Sequence, residues 1–181
     1  KWSLGLRCFI LSATLSNYEI LKNEPSVEFY EPVDEYMQEK LDNAISFKDK
    51  GYRPKTISYD HQKKLTNLVL DEERCFFLCG MGTGKTKAVL DAISHLHYKE
   101  EVERCLVVTP SSIMQNFNDE IEKHSFLEST LIRGKLSERK KKLKISTPIH
   151  IINYEILTKL HKEISAVGFD MIVFDECHRL K

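Results

Sequence analysis

The chain has 181 residues, which is enough for one α/β domain with a buried core. Its 27 lysines and arginines balance its 27 aspartates and glutamates, which excludes a strongly basic or acidic protein, so any nucleic-acid contact has to be local. No apolar run approaches the roughly 18 residues that span a bilayer, and we expect no membrane partner. The five cysteines form no CxxC pair, which favours reduced thiols and an intracellular protein.

Residues 1–56 carry few regular patterns. An apolar run at 6–13 predicts a strand, the pattern at 33–45 predicts a helix, and the glycine and proline within 50–56 are typical of a linker. We predict that 1–56 is a small N-terminal accessory segment, whose role the sequence does not reveal. Because the chain does not begin with methionine and stops abruptly, we expect it to be a fragment of a longer protein.

From residue 60 onward, apolar runs alternate with helical patterns, which is typical of an α/β fold with a parallel sheet and helices on both faces. A ligand of such a sheet binds at the carboxyl ends of the strands. Strands are predicted at 74–79, 104–109, 130–133, 149–153 and 170–174. Helices are predicted from about 61 to the acidic cluster at 71–73, and at about 85–98, 112–124 and 154–166.

The segment CGMGTGKT at 79–86 joins a predicted buried strand to a predicted helix. Glycines in such a loop let backbone N–H groups close around phosphate oxygens. Lys85 would neutralise the β- and γ-phosphates, and the Thr86 hydroxyl would bind Mg²⁺. The full phosphate-loop pattern requires glycine where this chain has Cys79, so a glycine turn that only caps a helix is the alternative. The predicted nucleotide contacts of the loop are Cys79, Gly80, Met81, Gly82, Thr83, Gly84, Lys85 and Thr86.

Two carboxylates, Asp175 and Glu176, follow the last predicted strand and reach the same edge of the sheet. Asp175 is placed to hold Mg²⁺, whereas Glu176 can polarise the water that attacks the γ-phosphate. We expect His178 to link this site to a neighbouring segment. Such a pair alone is usually a solvated helix start, but together with the lysine loop it predicts a site for ATP and Mg²⁺.

These motifs, in this order, resemble those of the superfamily 2 helicases and translocases, and within them the Swi/Snf-type DNA-dependent ATPases. Motif I of that group is similar to MGTGKT at 81–86, and its DEAH-type motif II is similar to DECHRLK at 175–181, with cysteine replacing alanine. Motifs Ia and Ib are similar to LVVTPSSIMQNFNDEIEK at 106–123 and INYEIL at 152–157. The upstream glutamine motif resembles YDHQ at 59–62, which implies that Gln62 reads adenine.

The resemblance covers about residues 57–181 and implies a RecA-like lobe. In the family a second RecA-like lobe supplies arginines that reach the γ-phosphate, so we expect turnover to need that lobe as a partner. The resemblance also implies side chains that hold a nucleic-acid backbone without reading its sequence. These are Ser111, Ser112, Asn116, Asn153 and Tyr154, and for the two serines helix capping is the alternative.

Two further features allow two interpretations each. The densest positive cluster, at 135–144, suits a polyanion, but the lack of interleaved aromatic residues favours a solvated helix face. The tripeptide SAT at 12–14 resembles one that helicases carry downstream of motif II, whereas here it lies upstream. Its order favours a strand that simply ends in small polar residues, and a rearranged chain is the alternative.

The leading hypothesis is a DNA-stimulated ATPase that moves along duplex DNA, with this chain as the first of two motor lobes. One alternative is a strand-separating helicase acting on DNA or RNA. Another is a nucleotide-binding interaction module that does not hydrolyse ATP. Each of these places the protein where nucleic acid is, in the nucleus or the cytoplasm, with a viral or phage origin left open.

Overall fold

The computed structural model describes residues 7–10, 54–77, 79–80 and 82–176. The helix predicted at 33–45, the tripeptide at 12–14 and the predicted nucleotide contacts Met81 and His178 lie outside these residues. Within the described part of the chain, no helix is long and apolar enough to cross a membrane.

The centre of the fold is a six-stranded sheet in which every pair of neighbouring strands is parallel. Its order is β2-β1-β6-β3-β5-β4. The five strands predicted after residue 60 are all present, and β1 lies within the predicted strand at 6–13. The prediction that the strand before the glycine loop is buried is wrong, because this strand lies at one end of the described sheet and Arg74 and Phe76 are exposed. The strands are β1 (Arg7–Ile10), β2 (Arg74–Phe76), β3 (Cys105–Thr109), β4 (Ser129–Leu131), β5 (Ile149–Asn153) and β6 (Met171–Phe174).

Helices connect the strands in the predicted alternation. The structure contains α1 (Asp60–Asp71), α2 (Lys85–Tyr98), α3 (Met114–His124), α4 (Leu136–Lys142), α5 (Tyr154–Leu157) and α6 (His161–Val167). The prediction of a single helix at 154–166 is therefore wrong, because a turn at 158–160 divides this segment into α5 and α6. Leu160 in this turn is fully buried in the apolar core, a tertiary contact that periodicity alone does not reveal.

Two apolar clusters cover the two faces of the sheet, which confirms the predicted α/β fold with helices on both faces. Side chains of β3 and β5 are buried on both faces, as expected for central parallel strands. One face packs strand residues against α1, α2 and α3, with Val107, Ile151 and Val173 meeting Val69, Leu90 and Ile121. The other face packs Leu106, Val108 and Ile152 against Leu143, Leu160 and Ile164.

Three central strands end at nearly the same level. The register pairs Val108 with Phe174 and Thr109 with Asn153, so β6, β3 and β5 present their last residues side by side. Asp175, Pro110 and Tyr154, which follow these strands directly, are therefore delivered to a single edge of the sheet.

Candidate nucleotide site

The glycine loop owes its shape to two residues in the left-handed region. Gly82 and Gly84 have φ values of +75° and +76°, a conformation that residues with a side chain rarely adopt. Gly84 is also crowded, because a Cβ there would lie 2.0 Å from Nε2 of Gln62. Among the described residues nothing lies within 4 Å of a Cβ placed at Gly82. Conformation therefore requires glycine at both positions, and packing requires it at Gly84 as well.

The Lys85 side chain folds back over the loop. Its ammonium donates hydrogen bonds to the carbonyl oxygens of Cys79, at 3.0 Å, and Gly80, at 2.8 Å. The Thr83 hydroxyl donates to the same Gly80 carbonyl at 3.0 Å. Lys85 is the first residue of α2, so its positive charge lies beside the helix N-terminus. Both features favour an anion at this place.

Cys79 occupies the position where the full phosphate-loop pattern has glycine. Its side chain is half-buried and packs against the larger apolar cluster. Burial raises the pKa of the Cys79 thiol, and the nearby Lys85 charge opposes that rise. Cys79 therefore acts as a small, neutral side chain that extends the core up to the loop.

The start of α1 is attached to the loop. Gln62 is buried, and its Oε1 accepts a hydrogen bond from the Tyr59 backbone N–H at 2.9 Å. Nε2 of His61 lies 3.0 Å from the Thr83 carbonyl oxygen, to which it donates in the Nε2-protonated tautomer. The rings of Tyr59 and His61 stack with centroids 5.8 Å apart. The structure thus brings predicted Gln62 beside the predicted phosphate loop.

Asp175 is held from three directions. Its Oδ2 accepts a hydrogen bond from the Thr109 hydroxyl at 3.1 Å, and its carbonyl accepts one from the Tyr154 hydroxyl at 2.6 Å. Its backbone N–H donates to the Val108 carbonyl at 2.9 Å. Burial raises the pKa of Asp175, whereas the Thr109 hydrogen bond and the Lys85 charge lower it. The net effect is a raised pKa, so burial outweighs the two contributions that favour the ionised carboxylate.

Glu176 has a strained backbone. Its φ is +55°, and among the described residues only Glu100 shares a positive φ without being glycine. A non-glycine residue in this region costs roughly 1–3 kcal/mol, and such residues cluster at functional sites. The strain lies one residue beyond the half-buried Asp175, where the sequence predicts the catalytic carboxylate.

The predicted nucleic-acid residues fall into two groups. Ser111, Ser112 and Asn116 are exposed, in the turn after β3 and the first turn of α3. The residue at the helix-capping position is Ile113, and in the described part of the chain no side chain caps α3. The capping alternative for the two serines is therefore not realised, and their hydroxyls face solvent.

Asn153 and Tyr154 are engaged inside the protein. Asn153 is buried, accepts a hydrogen bond from Nη1 of Arg139 at 3.0 Å and donates one to Glu155. Tyr154 uses its hydroxyl on the Asp175 carbonyl. These two residues therefore differ from the exposed group in having partners inside the protein, and Tyr154 is connected to the acidic strand.

Sequence reasoning missed two contacts of the site. Thr109 is predicted only to end a strand, yet its hydroxyl donates a hydrogen bond to Asp175. The feature that could have indicated this contact is the pairing of β3 with β6. Arg139 was counted in the basic cluster, yet its guanidinium binds Asn153 and the Gly134 carbonyl. Around α4, only Leu143 among the described residues 135–144 belongs to an apolar cluster. The lysines at 135, 140, 141 and 144 are exposed and form a solvated face.

Comparison with known proteins agrees with this geometry. A family model described as the SNF2-related domain matches residues 28–181. The chromatin-remodelling complex ATPase ISW1 of Saccharomyces cerevisiae is 27% identical over 128 residues, covering 67% of this chain and 11% of that protein. The DNA repair and recombination protein RAD54B of Gallus gallus is 32% identical over 110 residues, covering 56% of this chain and 12% of that protein.

A second protein of Gallus gallus, the RAD54-like DNA repair and recombination protein, is 31% identical over 125 residues, which is 59% of this chain and 17% of that protein. The chain thus spans less than a fifth of each of these relatives. The family match covers most of the chain, including the glycine loop and the acidic pair. We conclude that the chain belongs to the SNF2-related domain family, within the Swi/Snf-type branch of superfamily 2, and forms an N-terminal RecA-like lobe.

Proposed function

We propose that this chain is the ATP-binding lobe of a DNA-dependent ATPase that couples ATP hydrolysis to translocation on duplex DNA or to its remodelling. The observation that carries the proposal is the register of the sheet, which aligns Phe76 of β2 with Ile10 of β1 and Ile10 with Phe174 of β6. The glycine loop with Lys85 and the Asp175 carboxylate therefore follow their strands at one edge of the sheet. Relatives named for chromatin remodelling and for DNA repair and recombination support DNA as the partner.

The residues at this edge suit ATP with Mg²⁺. Backbone N–H groups of the loop and the Lys85 ammonium would bind the phosphates, and Gln62 would bind the adenine. Oxygen ligands are those that Mg²⁺ prefers, and the Thr86 hydroxyl and the Asp175 carboxylate would provide them. Mg²⁺ would neutralise charge on the β- and γ-phosphate oxygens. The proposed nucleotide-binding residues also include the rest of the loop and one residue after the acidic pair. They are Cys79, Gly80, Met81, Gly82, Thr83, Gly84 and His178.

Glu176 is proposed as the residue that orients the attacking water and accepts its proton. The carboxylate follows an immobilised neighbour, because Asp175 is held by Thr109 and Tyr154. The left-handed backbone of Glu176 sets the direction of its side chain relative to that anchor. Phosphoryl transfer also needs positive charge around the γ-phosphate, which in this proposal comes from a second lobe.

The nucleic-acid contacts are proposed for the exposed group. Hydroxyl and amide donors at Ser111, Ser112 and Asn116 suit phosphate oxygens and carry no base specificity. Asn153 and Tyr154 would support that surface from within, through Arg139 and Asp175. This arrangement fits movement along a backbone of any sequence.

The proposal is tested with the longest natural form of the protein. ATP hydrolysis should rise when duplex DNA is added, and Lys85→Ala should abolish it. Lys99→Ala is the matched control, because Lys99 is exposed at the opposite end of the same helix. Hydrolysis that persists in Lys85→Ala would contradict the proposal.

A strand-displacement assay on the same samples separates the alternatives. A translocase should be stimulated by duplex DNA without separating its strands. Strand separation, or stimulation by RNA alone, would indicate a helicase. ATP binding without turnover in the presence of any nucleic acid would indicate an interaction module.

A further inference from the structure

Residues 54–59, which we call the strap, precede α1 and make hydrogen bonds to α2 and to the end of α3. One end of the strap is attached to the end of α3. The Lys55 ammonium donates to the carbonyls of Glu122, at 2.6 Å, and Ser125, at 3.0 Å. The Thr56 hydroxyl lies 2.6 Å from Nδ1 of His124. The beginning of the strap is therefore attached to the C-terminal end of α3.

The middle of the strap is attached to α2 through three buried polar side chains. Ser58, Lys87 and Asp91 are 5%, 3% and 2% exposed. The Ser58 hydroxyl donates to Asp91 Oδ2 at 2.6 Å and accepts from the Lys87 ammonium at 2.8 Å. Lys87 also donates to both carboxylate oxygens of Asp91, at 2.6 and 2.5 Å. We call these three residues the strap cluster.

Stability alone does not explain the strap cluster. Desolvation of two charges offsets much of their attraction, and apolar residues of similar volume are often as stable in such a place. A buried pair whose hydrogen bonds are all satisfied fixes the relative orientation of the segments that it joins. Here the geometry joins the strap to the first two turns of α2, the helix that begins at Lys85.

The other end of the strap leads to Gln62. The Tyr59 backbone, which adjoins Ser58, donates to the Gln62 side chain, and that side chain packs against Gly84. A cleft of about 340 Å³ opens at this place, within the size range of ligand pockets. Ile57 is 94% exposed and Tyr59 is 69% exposed, so both offer apolar surface beside the Gln62 amide. The cleft is bordered by Ile57, Tyr59, Gln62, Gly84 and Lys87, and on the α3 side by Glu120, Lys123 and His124.

We propose that Ser58, Lys87 and Asp91 are positioning residues that hold the strap so that Tyr59 and Gln62 meet the nucleotide base. The proposal rests on the proposed function, because it assigns a base to the cleft beside the phosphate loop. In this arrangement the strap cluster sets the affinity and selectivity for the base. The phosphate contacts and the chemical step do not depend on it.

The test uses two variants of the longest natural form. Ser58→Ala removes the hydroxyl and leaves the ion pair intact. The double variant Lys87→Met/Asp91→Leu replaces the pair with apolar side chains and leaves Ser58 without its partners. Ser58→Thr keeps a hydroxyl and serves as the rescue. Ser94→Ala is the matched control, because the Ser94 hydroxyl joins α2 to Ser125 at 2.8 Å outside the strap.

We expect both variants to lose about tenfold in ATP affinity, which corresponds to a hydrogen bond with charged partners. The preference for ATP over GTP should fall towards one, and the affinity for inorganic triphosphate should stay within about twofold of the wild type. The KM for ATP should rise while kcat stays unchanged. Ser58→Thr and Ser94→Ala should retain the wild-type preference for ATP.

Two results would overturn the inference while leaving the proposed function intact. One is an unchanged ratio of ATP to GTP affinity in variants that melt like the wild type. The other is an equal loss for ATP and triphosphate, which would make the strap cluster a purely structural support. A wild-type protein that binds neither ATP nor triphosphate would instead refute the proposed function itself, and the inference with it.

Discussion

Two regions of the molecule differ in how their polar side chains are held. One is the edge of the sheet with Lys85 and Asp175, which we call the phosphate edge, and the other is the proposed nucleic-acid surface. At the phosphate edge, Lys85 and Asp175 already have protein partners that fix their directions. At the nucleic-acid surface, Ser112 and Asn116 are exposed at the start of α3. A prearranged site concentrates its effect in a few residues, whereas an exposed surface spreads it over many weak contacts. Single substitutions should therefore have large effects at the first region and small effects at the second.

The largest effect is expected for Glu176→Gln. Loss of a group that accepts a proton from the attacking water should lower kcat by roughly 10²–10⁴-fold. ATP affinity should change less than about threefold, because the substitution keeps the size of the side chain. Single-turnover hydrolysis and equilibrium binding measure the two quantities. Glu128→Gln, at an exposed position away from the site, is the control. Normal turnover by the Glu176→Gln protein would contradict a catalytic role for Glu176.

Gly84→Ala should have the next largest effect. A Cβ at Gly84 requires a left-handed backbone at φ +76° and displaces the Gln62 amide. We expect ATP affinity to fall at least tenfold, measured by calorimetry. Gly168→Ala is the matched control, because Gly168 has a φ of +70° and no described atom within 4 Å of its Cβ position. Equal losses of ATP affinity in the two variants would show that the Gln62 contact is unimportant.

Thr109→Val tests the anchor of Asp175. Valine keeps the shape of threonine but removes the hydrogen bond to Oδ2, so the half-buried carboxylate loses a partner. Because that bond lowers the pKa of Asp175, its loss should raise this pKa further, and activity should fall towards acidic pH sooner than in the wild type. The pH profile of kcat/KM measures the shift. Thr130→Val, which breaks the buried hydrogen bond between Thr130 of β4 and Thr147, should leave the profile unchanged.

The smallest effect is expected at the nucleic-acid surface. Ser112→Ala/Asn116→Ala should weaken duplex DNA binding by roughly fivefold, with the same loss on every sequence. The salt dependence should stay unchanged, because no positive charge is removed. Fluorescence anisotropy at several salt concentrations measures both. Ser146→Ala is the exposed control, and a loss confined to one DNA sequence would contradict backbone recognition.

Much of this comparison could be predicted from the sequence, because its signals are local. The glycine loop and Lys85 follow β2, and the acidic pair follows β6, and the apolar runs of the sequence identify both strands. The contacts between elements could not be predicted in the same way. Lys87 and Asp91 have the spacing of an ordinary surface pair on a helix, yet both are buried and both bind Ser58 of the strap, a contact between elements that the spacing does not reveal. Tyr154 likewise meets Asp175 only once the sheet is assembled.

The central claim is that the loop and the acidic strand form one site for ATP with Mg²⁺. Its most direct test is the affinity of the wild type and of Asp175→Asn for ATP, measured with and without Mg²⁺. We expect Mg²⁺ to strengthen ATP binding to the wild type by at least tenfold and to have little effect on Asp175→Asn. An equal increase in ATP affinity on adding Mg²⁺ to both proteins would contradict the claim, because Asp175 would then not contribute to Mg²⁺ binding.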